Sequence, residues 1–141
     1  MRKKLLMPIL LLLSLCMLVS CADFVRPMNE KTAIGKLDAL QAQYEAQKYT
    51  VIRADEAEVA AFAETLVSGE GITLKGAVVG MFEYTYTDRD SGRICMGMVV
   101  AVTDKADAKT IAKLYRSYEE DAGDVTVEVT VNGRLVEIVR S

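Results

Sequence analysis

Residues 55–66 read DEAEVAAFAETL, and residues 104–115 read DKADAKTIAKLY. A shift of 49 positions lays one on the other: Asp55 falls on Asp104, Glu58 on Asp107, Val59 on Ala108, Phe62 on Ile111, Ala63 on Ala112 and Leu66 on Tyr115. In each copy an Asp stands where a helix would be capped, because its carboxylate can accept the first orphan N–H groups. Glu58 three residues after Asp55 adds the reciprocal half of a capping box. The apolar positions then recur at spacings of three and four, the stripe that one helix face buries. Gly69 and Gly71 close the first helix and Gly123 the second.

Outward from these helices the pattern changes to strands. Tyr49–Arg53 is rich in aromatic and β-branched residues. Ile72–Tyr86 and Arg93–Thr103 read as long strands joined by the loop Asp88-Arg89-Asp90-Ser91-Gly92. Val125–Val131 and Leu135–Val139 flank Asn132-Gly133, a strong hairpin signal. The order β-α-β-β-α-β-β resembles the ferredoxin-like, split-βαβ arrangement with an extra C-terminal strand. The fold class expected is therefore α+β, over residues 49–141. Residues 30–48 are expected to form an N-terminal helix, with Ile34, Leu37, Leu40 and Tyr44 along one side.

The 141 residues contain 17 Lys plus Arg, 20 Asp plus Glu, and no His or Trp. Without His there is no Ser-His-Asp or Cys-His nucleophile and no His-ligated metal. A net charge of −3 gives no basic face for nucleic acid. The expectation is a non-catalytic protein with no cofactor and no bound metal.

The first 21 residues, MRKKLLMPILLLLSLCMLVSC, set Arg2, Lys3 and Lys4 before an apolar run of about fifteen residues, shorter than the about 20 that span a bilayer as a helix. Leu18-Val19-Ser20-Cys21 resembles the lipobox of bacterial lipoproteins. That resemblance implies a signal peptide over 1–20, removed by a dedicated signal peptidase, and a lipidated Cys21 followed by a short tether over 21–29. It also implies an extracytoplasmic location at the cell membrane, anchored by acyl chains. Ala22 stands where lipoproteins of the enterobacterial kind carry an Asp that retains them in the inner membrane. Processing removes three basic groups and leaves a formal charge of −6, so attachment rests on lipid and not on a basic patch. Cys95 then remains as a lone thiol, most simply a small buried hydrophobe.

Strand alternation yields a candidate binding surface. If the five-residue loop sets position 87 opposite 93, Phe82 faces Met98, Tyr84 faces Met96 and Tyr86 faces Ile94. These side chains then form one apolar face that two helices on the far side leave open. Phe82, Tyr84, Tyr86, Met96 and Met98 are accordingly expected to engage a protein partner or a second copy, unless the 30–48 helix covers them. The alternative function is a lipoprotein that binds a small ligand or metal ion for envelope transport or sensing. Cys95, Met96 and Met98 could suit Cu(I), but alternation points the thiol away from the thioethers. The Asp88–Gly92 loop lacks the full calcium-ligand pattern. The terminal hairpin is expected to set Glu128 opposite Glu137.

Overall fold

The computed structural model describes residues 28–118 and 123–141. The expected signal peptide, the expected lipidation site Cys21 and most of the expected tether lie outside the described residues. The chain runs as α1 (28–46), β1 (Thr50–Arg53), α2 (Glu56–Glu64) ending in a π-turn (Thr65–Gly69), β2 (Val78–Thr87), β3 (Ile94–Val102), α3 (Lys105–Ser117), β4 (Val127–Asn132) and β5 (Leu135–Arg140). The five strands form one antiparallel sheet in the order β1-β2-β3-β5-β4. The fold class is α+β.

This order departs from the split-βαβ expectation in its first half. There β1 and β2 are antiparallel neighbours instead of parallel strands with another between them. The reason lies in residues 70–77, where a continuous strand was expected from Ile72. The fully buried Asp107 carboxylate accepts the N–H groups of Lys75 and Gly76, each at 2.8 Å. Backbone donors spent on a side chain cannot enter a ladder. The segment instead carries Ile72 and Leu74 back along the core, and β2 starts from the opposite end. The second half does contain a split unit. Both β3 and β4 run antiparallel to β5, so they are parallel to each other with β5 inserted between them. The C-terminal strand is thus interior, not appended at an edge.

The two repeated helices sit on the same face. Asp55 and Glu58 form both halves of the capping box, and Asp104 accepts the N–H of Ala106. Leu66, Ala108, Ile111 and Ala112 are buried in a cluster with Met81, Val100, Val102, Val136 and Ile138, against which Val59, Phe62, Ala63 and Tyr115 pack.

Among the described residues the opposite face is covered by α1 alone. Ala33 and Leu37 are buried against Phe82, Tyr84, Val99, Ala101 and Leu135, with Leu40 and Tyr44 beside them. Close approach needs small residues beneath the helix: a Cβ at Gly80 would lie 2.7 Å from Leu37 Cδ2. Polar ties fix α1 along its length. Arg134 Nη2 donates to Asn29 Oδ1 near its start, Arg53 Nη1 to Asp38 and Gln41 in the middle, and Tyr44 donates to Glu137 near its end.

The helix stops two residues before the expected boundary. Tyr49 N–H donates to Tyr44 O and Lys48 N–H to Glu45 O, with Lys48 at φ 67°. This is the Schellman closure, with the rings of Tyr44 and Tyr49 in contact at 5.3 Å between centroids. An L-residue in that conformation carries strain that glycine lacks. Lys48→Gly should therefore raise stability by about 0.5 to 1 kcal/mol, the relief of about 1 to 2 kcal/mol of strain less the extra backbone entropy glycine loses, read as a higher urea midpoint. An unchanged or lower midpoint would show that the lysine side chain compensates.

Candidate functional site

The β2–β3 register decides where the expected binding residues go. Asp88 N–H donates to Arg93 O and Gly92 N–H to Asp88 O, both at 2.8 Å. Thr87 therefore pairs with Ile94, and the closed loop is one residue different from the expected one. Phe82 faces Val99, Tyr84 faces Gly97 and Tyr86 faces Cys95, while Met98 faces Glu83 and Met96 faces Thr85. A one-residue change of register reverses the face of every side chain on one strand. The single cluster expected from Phe82, Tyr84, Tyr86, Met96 and Met98 is divided between the two faces.

Phe82, Tyr84 and Tyr86 lie under or beside α1. Phe82 is fully buried, and Tyr84 lies flat over Gly97, where a Cβ would come within 2.0 Å of its ring. The ring of Tyr49 stacks on Tyr86 with centroids 4.5 Å apart, and on Tyr84 at 5.8 Å. Tyr44 reaches Tyr84 at 4.7 Å. These residues therefore build a covered core layer and not an open surface. Cys95 is buried on this face opposite Tyr86, and its nearness, ahead of burial, is the main cause pushing that phenol up to about 12.

One carboxyl lies at the heart of the layer. Glu137 Oε2 accepts from Tyr44 at 2.5 Å and from Tyr84 at 2.8 Å. The expected pairing with Glu128 is overturned by the register. The two turn residues are Gly133 and Arg134, so Glu137 faces Thr130 and Glu128 faces Val139. Burial first, and then Glu137 as hydrogen-bond acceptor and negative neighbour, raise both phenols well above the ordinary tyrosine value.

Met96 and Met98 belong to the other face, where α2 and α3 leave the hairpin end of the sheet uncovered. A groove of about 350 Å³ lies there. Phe62 of α2 and Tyr115 of α3 line it, over a floor of Met81, Glu83, Thr85, Met96, Met98, Ile138 and Arg140. Met96 is 59 % exposed, and Ile52 and Ile94, also exposed, stand on the same side of the sheet. The polar groups of the groove are one carboxylate, one guanidinium and the hydroxyls of Thr85 and Tyr115. Burial raises the Tyr115 phenol, with Arg140 acting in the opposite direction. Neither Glu83 nor Arg140 forms an ion pair among the described residues.

Sequence reasoning missed Phe62 and Tyr115 as groove walls because both occupy core positions of the repeat. It missed Arg140, although a cation ending the apolar run Leu135–Val139 is a visible signal. Among the described residues no group of three or more Cys, Asp or Glu side chains could hold a metal ion. Asp88 spends its carboxylate within the turn, on the N–H and hydroxyl of Ser91. Among the described residues no helix is long and apolar enough to cross a membrane. No protein-family model, characterised protein or solved structure matches the chain.

The tyrosines define a pH test. Tyr44 and Tyr84 keep their protons to higher pH when folded, so above about pH 10 the unfolded chain binds fewer protons and stability falls as pH rises. Their contribution is complete below that pH. Tyr84→Phe should cost about 1 to 3 kcal/mol at pH 7 through the lost hydrogen bond. It should also flatten the loss of stability between pH 10 and 11.5, as measured by urea unfolding. An unchanged alkaline slope would show that Tyr84 titrates freely.

Proposed function

We propose that this chain is a membrane-anchored extracytoplasmic lipoprotein, lipidated at Cys21, which binds a ligand in the groove between α2 and α3 without transforming it. The observation that carries this reading is the position of the groove relative to the start of the described chain. Residue 28 begins α1 at the end of the sheet where Asn29 meets Arg134, and Arg134 in turn donates to Thr103 O. The groove residues Met96, Thr85 and Arg140 lie toward the other end of their strands.

Covalent geometry gives this arrangement its scale. Six residues of β3 separate Met96 from Val102, about 20 Å at the usual strand rise. Seven residues link Cys21 to Met28 and reach at most about 25 Å. A lipid at Cys21 would therefore keep the Arg134 end within about 25 Å of the bilayer, with the groove at the far end of the sheet. The acidic mature chain gives anionic headgroups nothing to attract, so attachment rests on the lipid.

Assembly with a protein partner or a second copy is the second reading. It is favoured by Ile52, Ile94 and Met96, which leave an apolar rim beside the groove. A covered tyrosine face removes the surface first expected for that role, and the rim takes its place.

Two measurements test the proposal. An alkyne fatty acid fed to cells should label the wild-type chain and not Cys21→Ala, and that variant should move from the membrane to the soluble extracytoplasmic fraction. Retention of the unlabelled variant in the membrane overturns the anchor. A photoreactive residue at Met96 should cross-link in intact cells, whereas one at Glu45, exposed on α1, should not. Equal cross-linking from both positions overturns the groove as the binding surface.

A further inference from the structure

We infer that the groove takes a short peptide with both termini free, two residues long and apolar in its side chains. The inference rests on the groove reading above and names its ligand by charge and length.

The groove is dipolar. Glu83 borders one side, where Glu58 lines the adjoining hollow, and Arg140 borders the other. Opposite charges on one surface that form no ion pair with any described residue are complementary to a ligand that carries both signs. An ammonium fits the Glu83 side and a carboxylate the guanidinium, which offers several donors in a planar fork. Between the two charges the surface is thioether and aromatic: Met96 and Met98 below, Phe62 and Tyr115 at the walls. Methionine adapts its shape to different apolar side chains, so this floor selects by hydrophobicity more than by outline.

The sheet register sets the length. Glu83 pairs with Met98, which pairs with Ile138, and Thr85 pairs with Met96, which pairs with Arg140. Glu83 and Arg140 are therefore two strands apart and two residues apart along the strands. At about 4.8 Å between strands and about 3.3 Å per residue, the diagonal is about 12 Å. Side chains stand roughly perpendicular to a sheet, so their charged ends are separated by a similar distance. An extended dipeptide spans about 7 Å. A charge-assisted hydrogen bond of about 2.8 Å at each end brings the total close to 12 Å. A single amino acid falls about 3 Å short, and a tripeptide overshoots by a similar length. The groove volume of about 350 Å³ lies within the range of small-ligand sites.

The test is calorimetric titration of the lipidated protein, purified from membranes into lipid nanodiscs, with Leu-Leu, its N-acetyl and C-amide forms, free Leu and Leu-Leu-Leu. Leu-Leu should bind, and capping either end should weaken binding at least tenfold, as should shortening or lengthening by one residue. Glu83→Gln should erase the penalty for acetylation and Arg140→Gln the penalty for amidation. Both side chains are exposed, so both variants should melt with the wild type. No binding of Leu-Leu at millimolar concentration overturns the inference, as does equal binding of free and capped forms. Neither result touches the groove reading, which stands or falls on cross-linking from Met96 and Glu45.

Discussion

The pairing of Asp88 with Arg93 at the tip of the β2–β3 hairpin governs the rest of the molecule. With that backbone bond made, Tyr84 must face Gly97 and Tyr86 must face Cys95. The tyrosines then share a face with Leu135 and Glu137 of β5. A tyrosine ring laid over a glycine leaves its hydroxyl free to reach sideways, and Glu137 is there to accept it. The same choice sends Met96 and Met98 to the other side, where the groove forms. Slipping this pairing by one residue would bring the methionines beneath α1 and carry glycine and valine to the groove floor. The fold of one layer and the chemistry of the other are both set by this turn.

The tyrosine layer explains how one helix can cover a whole sheet face. Hydrophobic area alone would let α1 slide, since apolar contacts have little directional preference. Three tie points along its length remove that freedom, and the last, Tyr44 to Glu137, is partly withdrawn from water, where a polar group left unpaired is costly. Glu137 has to be bonded because it lies among rings. Two phenols supply the bonds, and each stands on a different element: Tyr44 on α1 and Tyr84 on β2. The carboxyl therefore locks helix to sheet as well as satisfying itself.

Much of this architecture is legible in the sequence, for identifiable reasons. Caps are local, so Asp55, Glu58 and Asp104 announce α2 and α3 correctly. Helix stripes are periodic, so the 49-residue repeat finds the core-facing positions of both helices. Strand order is not local. It depends on Asp107, which matches the capping Glu58 in the repeat yet spends its carboxylate on the backbone of a distant loop. The candidate site depends on parity. Alternation correctly marks the β2–β3 hairpin as apolar on both faces, but only the turn says which residues share a face, and a difference of one residue reverses the answer. The end of α1 was obscured for a related reason, because Lys48 takes a conformation that sequence statistics reserve for glycine.

The groove exists because the covering layer is too short for the sheet beneath it. β2 has ten residues and β3 nine, whereas α2 has nine residues before its π-turn. At about 1.5 Å per residue in a helix against about 3.3 Å in a strand, α2 spans about 14 Å and the 13 residues of α3 about 20 Å, against about 33 Å for β2. Asp107 binds the returning loop at one end of the sheet, which commits both helices to that end and leaves the hairpin end bare. A protein that required only stability could close such a gap with a longer helix or with polar residues on the floor. Here the floor keeps Met96, Met98 and Ile138, and the two charges at its margins are not paired with each other. Short helices, a long hairpin and separated charges together leave a cavity that costs the protein apolar burial it could otherwise have made, and this cost is the physical ground of the proposed binding role.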